Sequence, residues 1–145
     1  MPVELSVEGV GLRDLKRKVK ELDDKKLMRD INDALKEAAR PLLGKAAAAA
    51  RTSLPQRGGL AASVGRASFK VSVTQRGVRI VAKGSGVGGS NRGTISHPVF
   101  GNRDRWVKQP VKPGWFDDEM TASAPDVKPD VVAVIERFAE RVADA

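Results

Sequence analysis

The sequence predicts an α+β fold in which a long kinked N-terminal helix packs on a small antiparallel β-sheet and a C-terminal helix ends the chain. Apolar residues recur at helical spacing across residues 24–54 and again across 127–143. Between these stretches, apolar and polar residues alternate in short runs separated by turn signals, which is typical of antiparallel strands. The length of 145 residues fits a single domain, 1–145.

Residues 1–22 are predicted to form a strand followed by a short helix. Three apolar residues alternate with polar ones at the start of the chain, as in a half-buried strand: Val3, Leu5 and Val7. Four leucines and valines then recur at helical spacing as far as Leu22, with basic residues on the other faces. This pattern predicts a short amphipathic helix whose basic face is solvated.

The long helix is predicted over residues 24–54. Asp23 or Asp24 is placed to cap its N-terminus. Pro41 lies inside the helical pattern and removes a backbone donor, so we expect a kink near that residue. The run Ala46–Ala50 has little side-chain bulk and allows another backbone to approach closely, either within the fold or from another subunit.

A β-sheet is predicted over residues 66–116. Its first part is a hairpin of two alternating runs, Phe69–Val73 and Val78–Ala82. The glycine-rich segment 84–93 contains no evident core residue and is predicted to be a mobile loop. It contains the spacing Gly84-x-Gly86-x-x-Gly89, but no helix is expected to begin at its end, so we predict no dinucleotide site and no cofactor.

The segment Thr94–Phe116 holds four of the six aromatic residues and the only histidine, His97. Proline and glycine residues bracket the aromatic ones, which is typical of a local anchor. Trp106 and Val107 are predicted to lie in a return strand, and Pro113-Gly114 fits a type II turn. Acidic residues 117–119 suit the start of a short helix, and a separate C-terminal helix is predicted over 127–143.

The residue types exclude most catalytic chemistry. The chain has no cysteine, and His97 has no second histidine or neighbouring carboxylate with which to form a catalytic set. We therefore predict no catalytic residues, no metal ligands and no enzyme activity. No apolar run reaches the ~20 residues that a membrane span needs, and the N-terminus lacks a signal pattern, so we expect no membrane partner and synthesis in the cytoplasm.

Positive charge is concentrated in the middle of the chain. Residues 51–116 hold 12 Lys/Arg against one Asp, a net +11, and residues 117–145 hold 3 against 8 acidic residues, a net −5. This asymmetry fits nucleic-acid binding, head-to-tail docking on the acidic end of an identical neighbour, or an ordinary solvated surface. Charge alone leaves the three interpretations open.

Several sequence blocks occur in an order that resembles a known family. After the alanine-rich helix come Arg57-Gly58-Gly59-Leu60 with Ser63, the basic hairpin and the glycine-rich segment, then His97-Pro98-Val99-Phe100-Gly101, Trp106-Val107-x-Gln109 and Pro113-Gly114-Trp115-Phe116. Across about residues 25 to 143 the chain resembles the minor tail components, or tail-completion (neck) proteins, of long-tailed bacteriophages, most closely those of actinobacterial phages and prophages.

The resemblance implies a structural virion protein that forms a ring in the neck, completes the tail and joins it to the head. Its implied partners are its own copies in a hexamer or dodecamer, an adaptor or stopper ring, the tail tube protein, and genomic DNA contacted non-specifically in the lumen. Two alternatives stay open: a tail terminator ring that caps the tail tube, and a basic nucleic-acid-binding protein of another class.

Two groups of residues are assigned to contacts with partners. The subunit or partner interface is predicted to contain His97, Pro98, Phe100, Trp106, Trp115, Phe116, Gly86, Gly88 and Gly89. Contacts with DNA or with an acidic partner are predicted for Lys70, Arg79, Lys83, Arg92, Arg103 and Arg105.

Overall fold

A computed structural model describes residues 2–56, 59–99 and 102–144, without the side chains of residues 97–99, 102 and 103. It confirms the α+β fold that the sequence predicts. The elements follow in the order β1 (Val3–Glu8), α1 (Leu12–Glu21), α2 (Lys25–Ala39), α3 (Pro41–Ser53), α4 (Leu60–Gly65), β2 (Ser68–Val73), β3 (Gly77–Lys83), α5 (Val87–Arg92), β4 (Thr94–Val99), β5 (Asn102–Pro110) and α6 (Trp115–Ala143).

The central sheet has three antiparallel strands in the order β1-β3-β2. Its register aligns the alternating apolar residues on one face, where Ile80 of β3 lies between Leu5 of β1 and Val71 of β2. This face packs on the helices, whereas residues between them, such as Lys70 and Ser72, point to solvent. Sequence alternation therefore predicted correctly which face is buried.

The long N-terminal helix is kinked, as the sequence predicts. Asp24 caps α2 by accepting a hydrogen bond from the Leu27 backbone N–H at 2.9 Å. The helix is interrupted at Arg40, and Pro41 occupies the first turn of α3, where its missing donor costs nothing. The close approach allowed by the alanine run is made within the fold, because Ala46 and Ala50 are fully buried where α3 packs against α6.

The C-terminal helix is much longer than predicted. We expected a short helix near residue 117 and a second one over 127–143, but α6 is continuous from Trp115 to Ala143. Pro125 and Pro129 lie inside it, and both are exposed. Water can hydrate the carbonyl groups that these prolines leave unbonded, while Val127, Val131 and Ile135 hold the other side of the helix in the core.

The predicted sheet over residues 66–116 is not a single sheet. β2 and β3 belong to the central sheet, whereas β4 and β5 form a separate two-stranded antiparallel hairpin. Trp115 and Phe116, at the end of the predicted range, begin α6. Alternation identifies strands but does not show which strands share a sheet, because that depends on contacts between distant segments.

Candidate functional site

The β4–β5 hairpin, residues 94–110, contributes no described residue to the buried core; we call this hairpin the arm. Every described side chain from Asp104 to Pro110 is exposed. Thr94 pairs with Pro110 at the inner end, and Pro98 pairs with Trp106 further out, with an irregularity in the register between Pro98 and Val99. An isolated two-stranded hairpin is only marginally stable in water, so an exposed one is suited to packing against a partner.

The arm presents apolar and basic side chains on both faces. Trp106 is 59% exposed and Val107 is 42% exposed. Because successive residues of a strand point to opposite faces, Trp106 shares one face with Lys108, and Val107 shares the other with Arg105. A large exposed aromatic ring beside basic groups is the composition of a protein-binding hot spot.

The base of the arm is the segment 84–93, which we predicted to be a mobile loop. That prediction is wrong, because residues 87–92 form the helix α5. Val87 is fully buried, and Ser90 and Asn91 are buried polar residues. Sequence patterns do not predict this helix, because its glycines have low helix propensity. The helix is stabilised instead by buried contacts with distant residues.

Asn91 connects the base to the start of α6. Its side-chain oxygen accepts hydrogen bonds from the backbone N–H groups of Phe116, at 3.0 Å, and Asp117, at 3.2 Å. Its backbone carbonyl accepts a third bond from the Gly114 N–H at 2.7 Å. Asn91 thus caps a helix whose donor Phe116 lies 25 residues later in the chain, and satisfies N–H groups that the first turn of a helix otherwise leaves unbonded.

Ser90 makes a second connection beside the first. The Trp115 indole Nε1–H donates to the Ser90 Oγ at 2.9 Å, and this hydroxyl donates to the carbonyl groups of α5. The Trp115 ring also makes edge contacts with Phe69 of β2 and with Phe116. The base is therefore joined to the central sheet through the buried ring of Trp115 and the half-buried ring of Phe69.

Two glycines mark the ends of the arm. Gly93 and Gly114 have φ angles of 101° and 85°, values that side-chain-bearing residues rarely adopt. The Val111 N–H donates to the Gly93 carbonyl at 3.0 Å, so the chain leaves and re-enters the fold at one place. The arm is mounted on a rigid base.

The structure divides the predicted interface residues into three groups. Trp106 is exposed on the arm, as expected, and Gly86 is exposed where α5 begins. Trp115 and Phe116 are buried in the core of the chain itself, and the buried Gly88 and half-buried Gly89 belong to the base, so none of the four is exposed on the surface of the subunit; their contact with a partner stays a prediction. Phe100 and the side chains of His97 and Pro98 lie outside the described residues.

The predicted DNA-facing residues do not form one group. Lys70, Arg79 and Lys83 lie on the outer face of the central sheet, where Arg79 is 3.8 Å from the Glu4 carboxylate. Arg92 is exposed at the end of α5, and Arg105 is exposed on the arm. The side chain of Arg103 lies outside the described residues.

The glycine spacing 84–89 is not in the context that dinucleotide binding requires. A short helix does follow Gly86, contrary to our expectation, but β3 precedes it in an antiparallel sheet rather than in a parallel βαβ unit. In the described part of the chain, no cluster of three or more His, Cys, Asp or Glu side chains is arranged to hold a metal ion. None of the described helices is both long and apolar enough to cross a membrane.

Comparison with known proteins returned no match to a family model, to a curated protein or to a solved structure.

Proposed function

We propose that this protein is a structural virion component of a tailed bacteriophage that forms a homo-oligomeric ring in the neck, completing the tail and joining it to the head. The observation that carries the proposal is the exposed arm on its rigid base. A ring subunit needs a projecting surface that reaches its neighbour, held in a fixed direction so that successive contacts close the ring. The arm has both properties.

The blocks that resemble neck proteins coincide with this feature. His97-Pro98-Val99 lies in β4, and Trp106-Val107-x-Gln109 lies in β5. Pro113-Gly114-Trp115-Phe116 contains the first residues of α6 and is hydrogen-bonded to the base of the arm. The resemblance and the exposed surface therefore concern the same part of the molecule, which supports a role for this part in assembly.

The proposal is tested first with Trp106→Ala. We expect purified wild-type protein to form a ring, alone or on purified tail tubes, and Trp106→Ala to remain monomeric because its main apolar contact is lost. Mass measurement in solution gives the result. Leu22→Ala is the matched control, since Leu22 is another large exposed apolar residue, 54% exposed, that lies away from the arm. Equal assembly of Trp106→Ala and wild type would contradict the proposal.

A tail terminator ring that caps the tail tube is the alternative within the same class. The same arm would serve either ring, so the distinction depends on which larger structure the ring binds. Incubation with separate preparations of tails and DNA-filled heads distinguishes them: a ring of the neck binds both, whereas a terminator binds tubes alone.

A nucleic-acid-binding function is supported by Lys70, Arg79 and Lys83 on the outer face of the central sheet, but the described strands of that sheet carry no aromatic side chain on this face for a base to stack on. Among the described aromatic side chains, only Trp106 is exposed. A protein that grips DNA through phosphates loses affinity steeply as salt rises. A monomer that ignores tail tubes and binds DNA with a steep salt dependence would replace the ring proposal with this one.

A further inference from the structure

We infer that the arm of one subunit binds the N-terminal half of α6 on a second copy of this chain. The inference rests on the proposed ring function and names the partner surface of the same site. It starts from the composition of the arm, whose exposed side chains join positive charge to apolar area. Residues 94–110 carry three Lys/Arg against one Asp, a net +2.

The N-terminal half of α6 has the opposite charge. Residues 117–130 carry five acidic residues against one lysine, a net −4. Asp126 and Asp130 are exposed one helical turn apart and so lie on the same side of α6. Lys45 pairs with Asp126 at 3.1 Å and offsets one of these charges, which leaves the surface acidic.

The same part of α6 also offers an apolar surface that suits Trp106. Exposed small or proline residues recur at intervals of three or four positions, which places them along one side of the helix: Ala122, Pro125, Pro129 and Ala133. Proline rings exposed in the middle of a helix form a flat apolar surface, on which an indole ring can pack without meeting long side chains. The acidic residues border this stripe.

The arm is long enough for this contact. β5 has nine residues, which corresponds to ~30 Å of extended strand, and an α-helix with its side chains is ~10 Å wide. The exposure of Asp104–Pro110 shows that the arm does not fold back on its own α6. Because the arm and the α6 surface are different patches, repeated contacts are head-to-tail, which is the arrangement that closes into a ring.

Charge exchange between two variants tests the inference. The first variant, Arg105→Glu with Lys108→Glu, reverses one basic side chain on each face of the arm, so that both the arm and α6 are acidic. The second, Asp126→Lys with Asp130→Lys, has a basic arm and a basic α6 surface around positions 126–130, where Lys128 already lies. Each alone is expected to associate at least ~100-fold more weakly than wild type, because like charges then meet at the contact.

Mixing the two variants is the decisive step. In an equimolar mixture, the acidic arm of the first variant meets the basic α6 of the second, and the basic arm of the second meets the acidic α6 of the first. Assembly is expected to return in the mixture, with the two variants alternating around rings of even number, detected by native mass spectrometry. A control with Lys20→Glu and Lys26→Glu, two exposed lysines of α1 and α2, lowers the net charge by the same amount as the first variant and is expected to assemble like wild type.

The outcomes separate this inference from the proposed function. If wild type forms rings but the folded variants do not assemble when mixed, the inferred contact between the arm and α6 is wrong and the proposed ring function is not contradicted. If wild type stays monomeric even with tail tubes, both are overturned. Recovery in the mixture, with the control unaffected, supports the contact between the arm and α6.

Discussion

Asn91 joins the base of the arm to the start of α6. It is 8% exposed, and its side-chain oxygen accepts two backbone hydrogen bonds from the first turn of α6. A buried N–H group that loses its acceptor costs ~1–3 kcal/mol, which is of the same order as the loss of an N-cap. No short-range pattern reveals this role, because donor and acceptor are 25 residues apart.

Asn91→Ala is therefore expected to lower the free energy of unfolding by about 1–3 kcal/mol and to weaken assembly further by freeing the base of the arm. Thermal unfolding and ring mass measure the two effects. Asn91→Asp keeps an acceptor for the same N–H groups and is expected to retain most of the stability. If Asn91→Ala unfolded at the wild-type temperature, the proposed cap would not contribute.

For Lys16 we predict how the stability of the protein depends on pH. Its ammonium group donates to the Thr74 carbonyl at 3.1 Å, and partial burial lowers the pKa of Lys16 from its ordinary value of 10.5. The folded protein therefore releases this proton at a lower pH than the unfolded chain does. Stability contributed by this group rises as the pH increases from the lowered pKa toward 10.5.

An NMR titration of the lysine side chains measures this directly, and Lys16 is expected to titrate below 10.5. Lys16→Met keeps the apolar stem and removes the titrating group, so this part of the pH dependence of stability should disappear in the variant. Titration of Lys16 at or above 10.5 would show that its contact with Thr74 outweighs the cost of burial.

Among the elements, those with a regular pattern were predictable from the sequence, and those stabilised by distant contacts were not. The kink at Pro41 and a cap at Asp23 or Asp24 follow from local backbone chemistry and were predicted, and the structure identifies the cap as Asp24. The helix α5 consists of residues with poor helix propensity and is held by Trp115 and Phe116, which lie on another element. The arm was predicted as strands, but its separation from the central sheet was not.

Two glycine substitutions in helices test this distinction. Gly44 lies in α3 with open space where a Cβ would be added, so Gly44→Ala should stabilise the protein by about 0.5–1 kcal/mol through helix propensity. Gly89 lies in α5, where an added Cβ would be 2.6 Å from the Thr94 carbonyl oxygen, so Gly89→Ala should destabilise the base of the arm. Thermal unfolding of both variants gives the comparison. If Gly89→Ala stabilised the protein instead, the base would have room for the added methyl group and the close approach of the Thr94 carbonyl would be contradicted.

For the molecule as a whole, the buried core contains the contacts that fold the chain, and the arm is proposed to make the contacts between subunits. The candidate site was only partly predictable, because aromatic composition located the segment 94–116 but did not distinguish buried from exposed rings. Trp106 and Trp115 each have a proline and a lysine within four residues, so these neighbours do not distinguish them. Only the tertiary structure shows that one is 59% exposed and the other 3% exposed.

Excision of the arm tests this division of the whole molecule. Because Thr94 pairs with Pro110, residues 95–109 can be replaced by the two-residue turn Asn-Gly without moving the base. The shortened chain is expected to fold with an unfolding temperature within a few degrees of wild type, since the buried core lies outside the excised residues. It is also expected to be monomeric and unable to bind tail tubes.

Circular dichroism and mass in solution measure folding and assembly separately. An unfolded product would show that the arm supports the core, and an assembled product would show that the subunits meet through another surface. Of the two tryptophans, only Trp115 remains in this variant, so its fluorescence reports on the base alone. A blue-shifted emission like that of a buried indole is expected if the hydrogen bond to Ser90 and the contact with Phe69 persist without the arm.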